Sequence, residues 1–418
     1  MERFWKHSTW VAVAVMTILP SFTGGNNVLN AGEPPEAKKI LMTPAQRKMS
    51  ENSNDFAFNL FRKINEHKTD DKSIIVSPIS VGYMLGMLND GADGATRQQI
   101  TDVLGPGISV KDINSYFKKM TDEAPHVDSK VTVKIANCID VNSNLGISLI
   151  PQFESDMKRY YNAQVDEFDF SNPGNVDIIN DWCNTHTYGM IPQILDVLDR
   201  NAAMYLLNAV YFKASWTTKF DPKETRDRTF TKENGTTVQR KMMHRKSKAA
   251  YGKNDLCEML CMPYGDNGYS MYVMLPRAGK TVDDIIKSLS AKSLKQQAYE
   301  MTTREVDILM PRFTTESTTQ LKPVLSSMGM PRVFTLAAEF PNMAQQDVNL
   351  YVWMMKQKAK IEVDEKGTKA AAVTVSQIRS KAAHASSGYT FHATHPFVYY
   401  IVENSTGTIY FMGTYLGD

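Results

Sequence analysis

LLNAVYFKASWTTKF, residues 206–220, is an almost unbroken apolar run with an asparagine inside it and a tryptophan near its end. Valine, tyrosine and phenylalanine favour extended backbone. A run that is apolar at consecutive rather than alternate positions predicts a strand covered on both faces. Asn208 inside such a strand needs hydrogen-bond partners, so it reads as a buried polar anchor rather than a solvated side chain. The elements that would cover this strand lie on either side of it in the sequence.

Upstream, Phe56, Leu60, Phe61 and Ile64 keep helical spacing in NDFAFNLFRKINEHK, with Asn54 or Asp55 as the cap. SIIVSPIS is a short β-rich run halted by Pro78, and residues 80–105 read as helix, glycine-rich break, helix. VTVKIANCIDV is a strand, ISLIPQFESDMKRYY turns into a helix, AQVDEFDF is a strand and VDIINDWCNTHTYG a helix. From Phe230 to Leu275, short apolar alternations are divided by Asn-Gly and Asp-Asn-Gly turn signals. TVDDIIKSLS and TTQLKPVLSSMGM read as helices. REVDILMPRFTTES reads as one strand, and YVWMMKQKAKIEVDE as a strand of unusual length. PFVYYIVEN and GTIYFMGTYL form a closing hairpin across Ser405, Thr406 and Gly407. Helices and strands mix without a regular strand–helix–strand repeat, which predicts the α+β class.

The chain has 418 residues, 42% hydrophobic and 22% charged, with a net charge of +2. That composition is globular, and the charge balance demands neither nucleic acid nor an anionic membrane. Arg3 and Lys6, then the apolar run Val11–Pro20, then SFTGGNN, follow the order of a secretory signal. The expected organisation is a signal peptide over 1–24, a flexible linker over 25–50 and one folded domain over 51–418. The run is too short for a membrane anchor. A secreted, extracellular protein is expected, or a periplasmic one in a Gram-negative host. Cys138, Cys183, Cys257 and Cys261 are too few for a disulfide scaffold and read as buried free thiols.

No G-x-S-x-G elbow, phosphate-binding loop or H-E-x-x-H motif is present. His392 and His395 flank no acidic residue, so no metal and no cofactor are expected, and the chain does not read as an enzyme. Arg240, Lys241, His244, Arg245, Lys246 and Lys248 form a basic cluster. It reads as a solvated hairpin turn, with binding to a glycosaminoglycan or another polyanion as the alternative.

From Asp55 to Gly413 the ordered blocks resemble the serpin family. The resemblance is carried by NDFAFNLFRKI, by Ser77, Pro78 and Ser80, by Asn208, Phe212, Lys213 and Trp216, and by ILMPRF and LKPVLSSMGM. KQKAKIEVDEKGTKAAA and HPFVYYIVENSTGTIYFMG complete it. It implies a serpin fold with three β-sheets, eight or nine helices and an exposed reactive-centre loop. It also implies a monomer that inhibits a target serine protease through a covalent complex. Where many members carry a histidine beneath the main sheet, this chain has Gln357, which can still donate and accept. Lys369 stands where an acidic residue is common.

The resemblance gives a use to DEKGTKAAAVTVSQIRSKAAHASSG, residues 364–388, which is neither clearly helix, strand nor loop. The implied mechanism needs a loop that is exposed when intact and inserts as a strand once cut. Lys369 should face water, since burying an unpaired ammonium is costly. Its parity, with Ala371, Val373 and Val375, is then outward, and Thr368, Ala370, Ala372 and Thr374 point inward. All four are small, so they can slip into a sheet without overpacking it. Gly367 loosens the hinge, and no proline interrupts 367–381. Counting about sixteen residues from the hinge Glu365 puts the bait bond at Lys381–Ala382, with Arg379–Ser380 as the competitor. Either basic residue suits a trypsin-like protease with a carboxylate in its pocket. The resemblance further implies an ion pair between Arg312 and Glu365, Trp216 packed at the top of the sheet, and Ser77, Ser80, Asn208 and Gln357 joined where the sheet opens. The alternatives are a non-inhibitory member that binds or chaperones a ligand, and a polyanion-regulated inhibitor.

Overall fold

The first helix, α1 (Pro44–His67), begins earlier than the sequence reading allows. Thr43 accepts from the Gln46 amide, and the Gln46 side chain accepts in return from the Thr43 amide, closing a capping box with Pro44 at the first helical position. Ile40, Met42 and Met49 are buried, and the Ile40 amide bonds to Ser405 Oγ. Residues 37–50 are therefore packed rather than a flexible linker. Ile40, Met42 and Met49 carry that packing while Leu41 stands exposed, a signal hidden by the polar residues between them. The structure, a computed structural model, describes residues 37–68, 70–346, 349–368 and 388–418. The expected signal peptide and Ala370, Ala371, Ala372, Thr374, Arg379, Ser380, Lys381 and Ala382 lie outside these.

Among the described residues there are nine α-helices. After α1 come α2 (Pro78–Gly91), α3 (Gly94–Leu104), α4 (Val110–Glu123), α5 (Pro151–Tyr161) and α6 (Val176–His186). The remainder are α7 (Val282–Ser288), α8 (Ala291–Glu300) and α9 (Leu321–Ser327). Helix α2 is buried along almost its whole length against α1, α4 and the sheets. Gly86 is needed there, because a Cβ at that position would lie 2.5 Å from the Tyr161 hydroxyl.

The strands are β1 (Ile75–Val76), β2 (Val131–Asn142), β3 (Ala163–Phe168), β4 (Met204–Ser215), β5 (Arg226–Thr231), β6 (Thr237–Lys253), β7 (Cys257–Tyr264) and β8 (Tyr269–Pro276). They continue with β9 (Thr302–Pro311), β10 (Phe313–Gln320), β11 (Lys356–Asp364), β12 (Gly367–Thr368), β13 (Tyr389–His392), β14 (Phe397–Glu403) and β15 (Ile409–Tyr415). One sheet runs β10-β11-β12-β4-β2-β3. The other runs β1-β15-β14-β8-β7-β6-β9-β13, with β5 also on β6. Strand β6 meets β7 only over Ala250–Lys253, so this larger sheet divides there into two leaves.

Three strand readings change. The stretch 304–317 is two strands, because the chain turns at Pro311–Arg312 and passes from the larger sheet to the smaller. The long strand begins only at Lys356; Tyr351–Met355 is apolar by composition but irregular, with Trp353 62% exposed. Strand β4 is half-buried along much of its length rather than covered on both faces. It pairs with β2 on one side throughout, but on the other side only Ala214 and Ser215 have a strand partner among the described residues.

Replacing Thr43 by Ala removes both bonds of the capping box. It should cost about 1 kcal/mol, read as a lower urea midpoint with an unchanged slope.

Candidate functional site

Strand β12 is a wedge two residues long between β11 and β4. Val363 and Asp364 pair with Thr368 and Gly367 on one side, and Ala214 and Ser215 pair with them on the other. The reversal rests on Asp364, whose Oδ1 accepts from the amides of Lys366 (2.8 Å) and Gly367 (3.1 Å). Gly367 has φ 149°, and a Cβ there would lie 2.0 Å from the Ala214 carbonyl oxygen, so only glycine fits. Thr368 is buried, and its hydroxyl shares a 2.8 Å hydrogen bond with the Tyr264 hydroxyl. That is the inward orientation expected of it.

Trp216 caps the wedge. Its indole N–H donates to the Asp364 carbonyl (2.9 Å), its amide donates to the Lys366 carbonyl (2.8 Å), and its ring stacks on Tyr264 at 4.4 Å. Glu365, 4% exposed, accepts on Oε1 from Arg312 (2.5 Å) and from the Thr225 hydroxyl (2.6 Å). Burial disfavours the charged carboxylate, but the bonds from Arg312 and Thr225 outweigh it and hold Glu365 below the ordinary glutamate range. The expected Arg312–Glu365 pair is thus present, and Trp216, Gly367 and Thr368 converge on it.

The other expected group separates in two. Gln357 accepts from the Ser77 amide (3.0 Å) and donates to the Ser77 carbonyl (2.9 Å), a reciprocal pair that ties β11 to the start of α2. Ser80 is buried one turn into that helix. Asn208 belongs instead to a relay through the core. It donates to Asn137 Oδ1 (2.8 Å), and Asn137 donates to the Tyr161 carbonyl (2.6 Å). The Tyr161 hydroxyl donates to Asn114 (2.7 Å), and Asn114 donates to Asp90 (2.6 Å). Burial raises the Asp90 carboxyl above its usual range, against the opposing bond from Asn114. Sequence reasoning missed Thr225, Tyr264, Asp364, Asn137 and Asn114. Only Asp364, next to a Glu-Lys-Gly turn, carried a local signal.

The basic cluster is not a hairpin turn, because all six residues lie within β6. Lys241 pairs with Asp227 (2.6 Å), while His244 (2.8 Å) and Lys246 (3.4 Å) meet Asp307. Arg240 bonds to the Tyr415 hydroxyl, and buried Arg245 lies over the Phe220 ring at 4.5 Å. Burial lowers the Arg245 pKa to about 10. His392 reaches the same Asp307 at 3.4 Å, whereas His395 turns to the Pro276 carbonyl at 2.9 Å. All four cysteines are free thiols; Cys261 is half-buried and the others are buried.

A family model described as Serpin (serine protease inhibitor) matches residues 51–417. The chain belongs to the serpin family. Iripin-3 of Ixodes ricinus is 31% identical over 352 residues, 82% of this chain and 88% of that protein. The native-state crystal structure of tengpin, a thermophilic serpin, superposes with a TM-score of 0.82 at 30% identity, covering 92% of this chain and 98% of that one. A thyroxine-binding globulin complex with thyroxine superposes at 0.80 with 28% identity, covering 88% of this chain and 99% of that one. No helix among the described residues is long and apolar enough to cross a membrane.

The depressed Glu365 pKa fixes a sign. A carboxylate held below its unfolded pKa contributes stability above that value and loses it as pH falls through the folded one. Acidification below about pH 4 should therefore erode the hinge anchor. Thermal melts of wild type and Glu365→Gln should be well separated at neutral pH and converge in that acid window. Since Arg312 is half-exposed, the ion-pair part of the difference should be small and salt-sensitive.

Proposed function

We propose that this serpin is a secreted inhibitor of trypsin-like serine endopeptidases that acts as a suicide substrate. The protease attacks Lys381–Ala382, or Arg379–Ser380, and forms an acyl-enzyme; the released strand then extends from the hinge into the six-stranded sheet and carries the protease with it. The observation that carries this reading is β12. Gly367 and Thr368 already occupy the first rungs between β11 and β4, and Thr368 points inward. Beyond them β4 has a half-buried edge with no strand partner on that side among the described residues. The sequence that follows, with Ala370, Ala372 and Thr374 on the inward parity, is small enough to continue the strand.

Likeness to thyroxine-binding globulin, solved with thyroxine, supports a second reading: a serpin that binds a ligand and traps no protease. A polyanion-regulated inhibitor has less support, because most of the basic cluster is engaged by Asp227, Asp307, Tyr415 and Phe220. Mixing with trypsin separates the first two readings. An inhibitor gives an SDS-stable complex and releases a C-terminal peptide beginning at Ala382, or at Ser380 if the competitor bond is taken. A passive loop is clipped with no complex, and that outcome overturns the proposal. Thr368→Arg buries a charge where Thr368 now meets Tyr264, and it should turn inhibitor into substrate. Loop cleavage of wild type should also raise the melting temperature sharply, since insertion releases a kinetically held native state.

A further inference from the structure

The outer face of β2 carries a group of donors that the inhibitory reading does not use. Residues alternate faces along this strand, and Val131, Val133, Ile139 and Val141 point into the core. Cys138 and Asp140 therefore share the opposite face, which α6 covers. Strand β3 runs parallel to β2 and sets Asp166 beside Asp140. The Cys138 sulfur and one oxygen from each of Asp140 and Asp166 lie within 4.8 Å of one another.

Asp140 is 2% exposed, and its one hydrogen-bond partner among the described residues is the Cys138 thiol, at 3.1 Å. Asp166 accepts from Gln164 at 2.6 Å. Neither carboxylate is paired with a Lys, Arg or His among the described residues. A buried carboxylate normally finds a cation or several donors, because an uncompensated charge in the interior is costly. Here its surroundings supply a thiol, a second carboxylate and no positive charge.

We infer that Cys138, Asp140 and Asp166 form a binding site for a zinc-class divalent cation. A thiolate with two carboxylates suits Zn²⁺, whereas Ca²⁺ and Mg²⁺ prefer oxygen donors alone. As the sulfur–metal bond forms, the Cys138 proton leaves to solvent. The fourth position of a tetrahedral site can be filled by water. The site would pin the sheet-edge strand β3 to β2. The motif is invisible to a sequence scan because Asp166 belongs to a different strand from Cys138 and Asp140.

The test uses reduced, chelator-stripped full-length protein titrated with Co²⁺ and then Zn²⁺. One equivalent of Co²⁺ should give a sulfur-to-cobalt charge-transfer band, which Zn²⁺ displaces, and Zn²⁺ should raise the melting temperature. Cys138→Ser should abolish the band, and Asp166→Asn, a half-buried change at the sheet edge that keeps the fold, should weaken binding by at least about tenfold. Cys257→Ser should change neither. The site is refuted if wild type gives no band, if the band survives Cys138→Ser at equal affinity, or if Asp166→Asn binds as wild type does.

Discussion

Two strand edges that face each other inside a sheet cannot both go without partners unless water or another strand reaches them. That constraint governs β4 and β11. Each buried backbone group left unmade costs about 1–3 kcal/mol, so every rung between these edges counts. Among the described residues, the Gly367–Thr368 wedge satisfies the top rungs. What surrounds it serves to hold those rungs. Asp364 turns the chain, Trp216 fastens the turn from β4, and Glu365 is gripped from outside by Arg312 and Thr225. A side chain at Gly367 would run into the Ala214 carbonyl and disturb all of these together.

Below the wedge the sheet is tied to the helices by polar side chains rather than by packing alone. Gln357 holds β11 to the start of α2 through the Ser77 backbone. Asn208 and Asn137 connect β4 and β2 to α5, and Tyr161 with Asn114 continues the connection toward Asp90 at the end of α2. Directional bonds of this kind favour one arrangement of sheet and helices over nearby ones, whereas apolar contacts tolerate sliding. Gln357 offers a donor and an acceptor, and both are used.

Much of the architecture was legible because its signals are local. The hairpin of β14 and β15 follows from aromatic and branched residues around Ser405–Gly407, and α2 and α3 follow from the glycine-rich break between them. Readings failed where apolar composition stood in for structure. Tyr351–Met355 is hydrophobic yet irregular, and the Pro311–Arg312 turn moves the chain between sheets without interrupting the β-rich composition. Helices α4 and α8 drew no expectation at all, although Ile113, Tyr116, Phe117 and Met120 keep helical spacing. At the site, Trp216, Arg312, Glu365, Gly367 and Thr368 could be picked out because ordered family blocks carry them. Thr225, Tyr264 and Asn114 could not, since their importance comes from contacts with residues remote in the chain, and nothing in their neighbourhood announces it.

The relay from Asn208 to Asp90 bears on how this interior can change over generations. Each member satisfies the next, so altering one strands its neighbour's donor or acceptor in a dry interior. Single steps through sequence space are mostly closed there, and a new solution requires two or more positions to change together. The core beneath the six-stranded sheet is therefore a slowly exploring region. The exposed faces of the same strands, free of such mutual obligations, can drift one residue at a time.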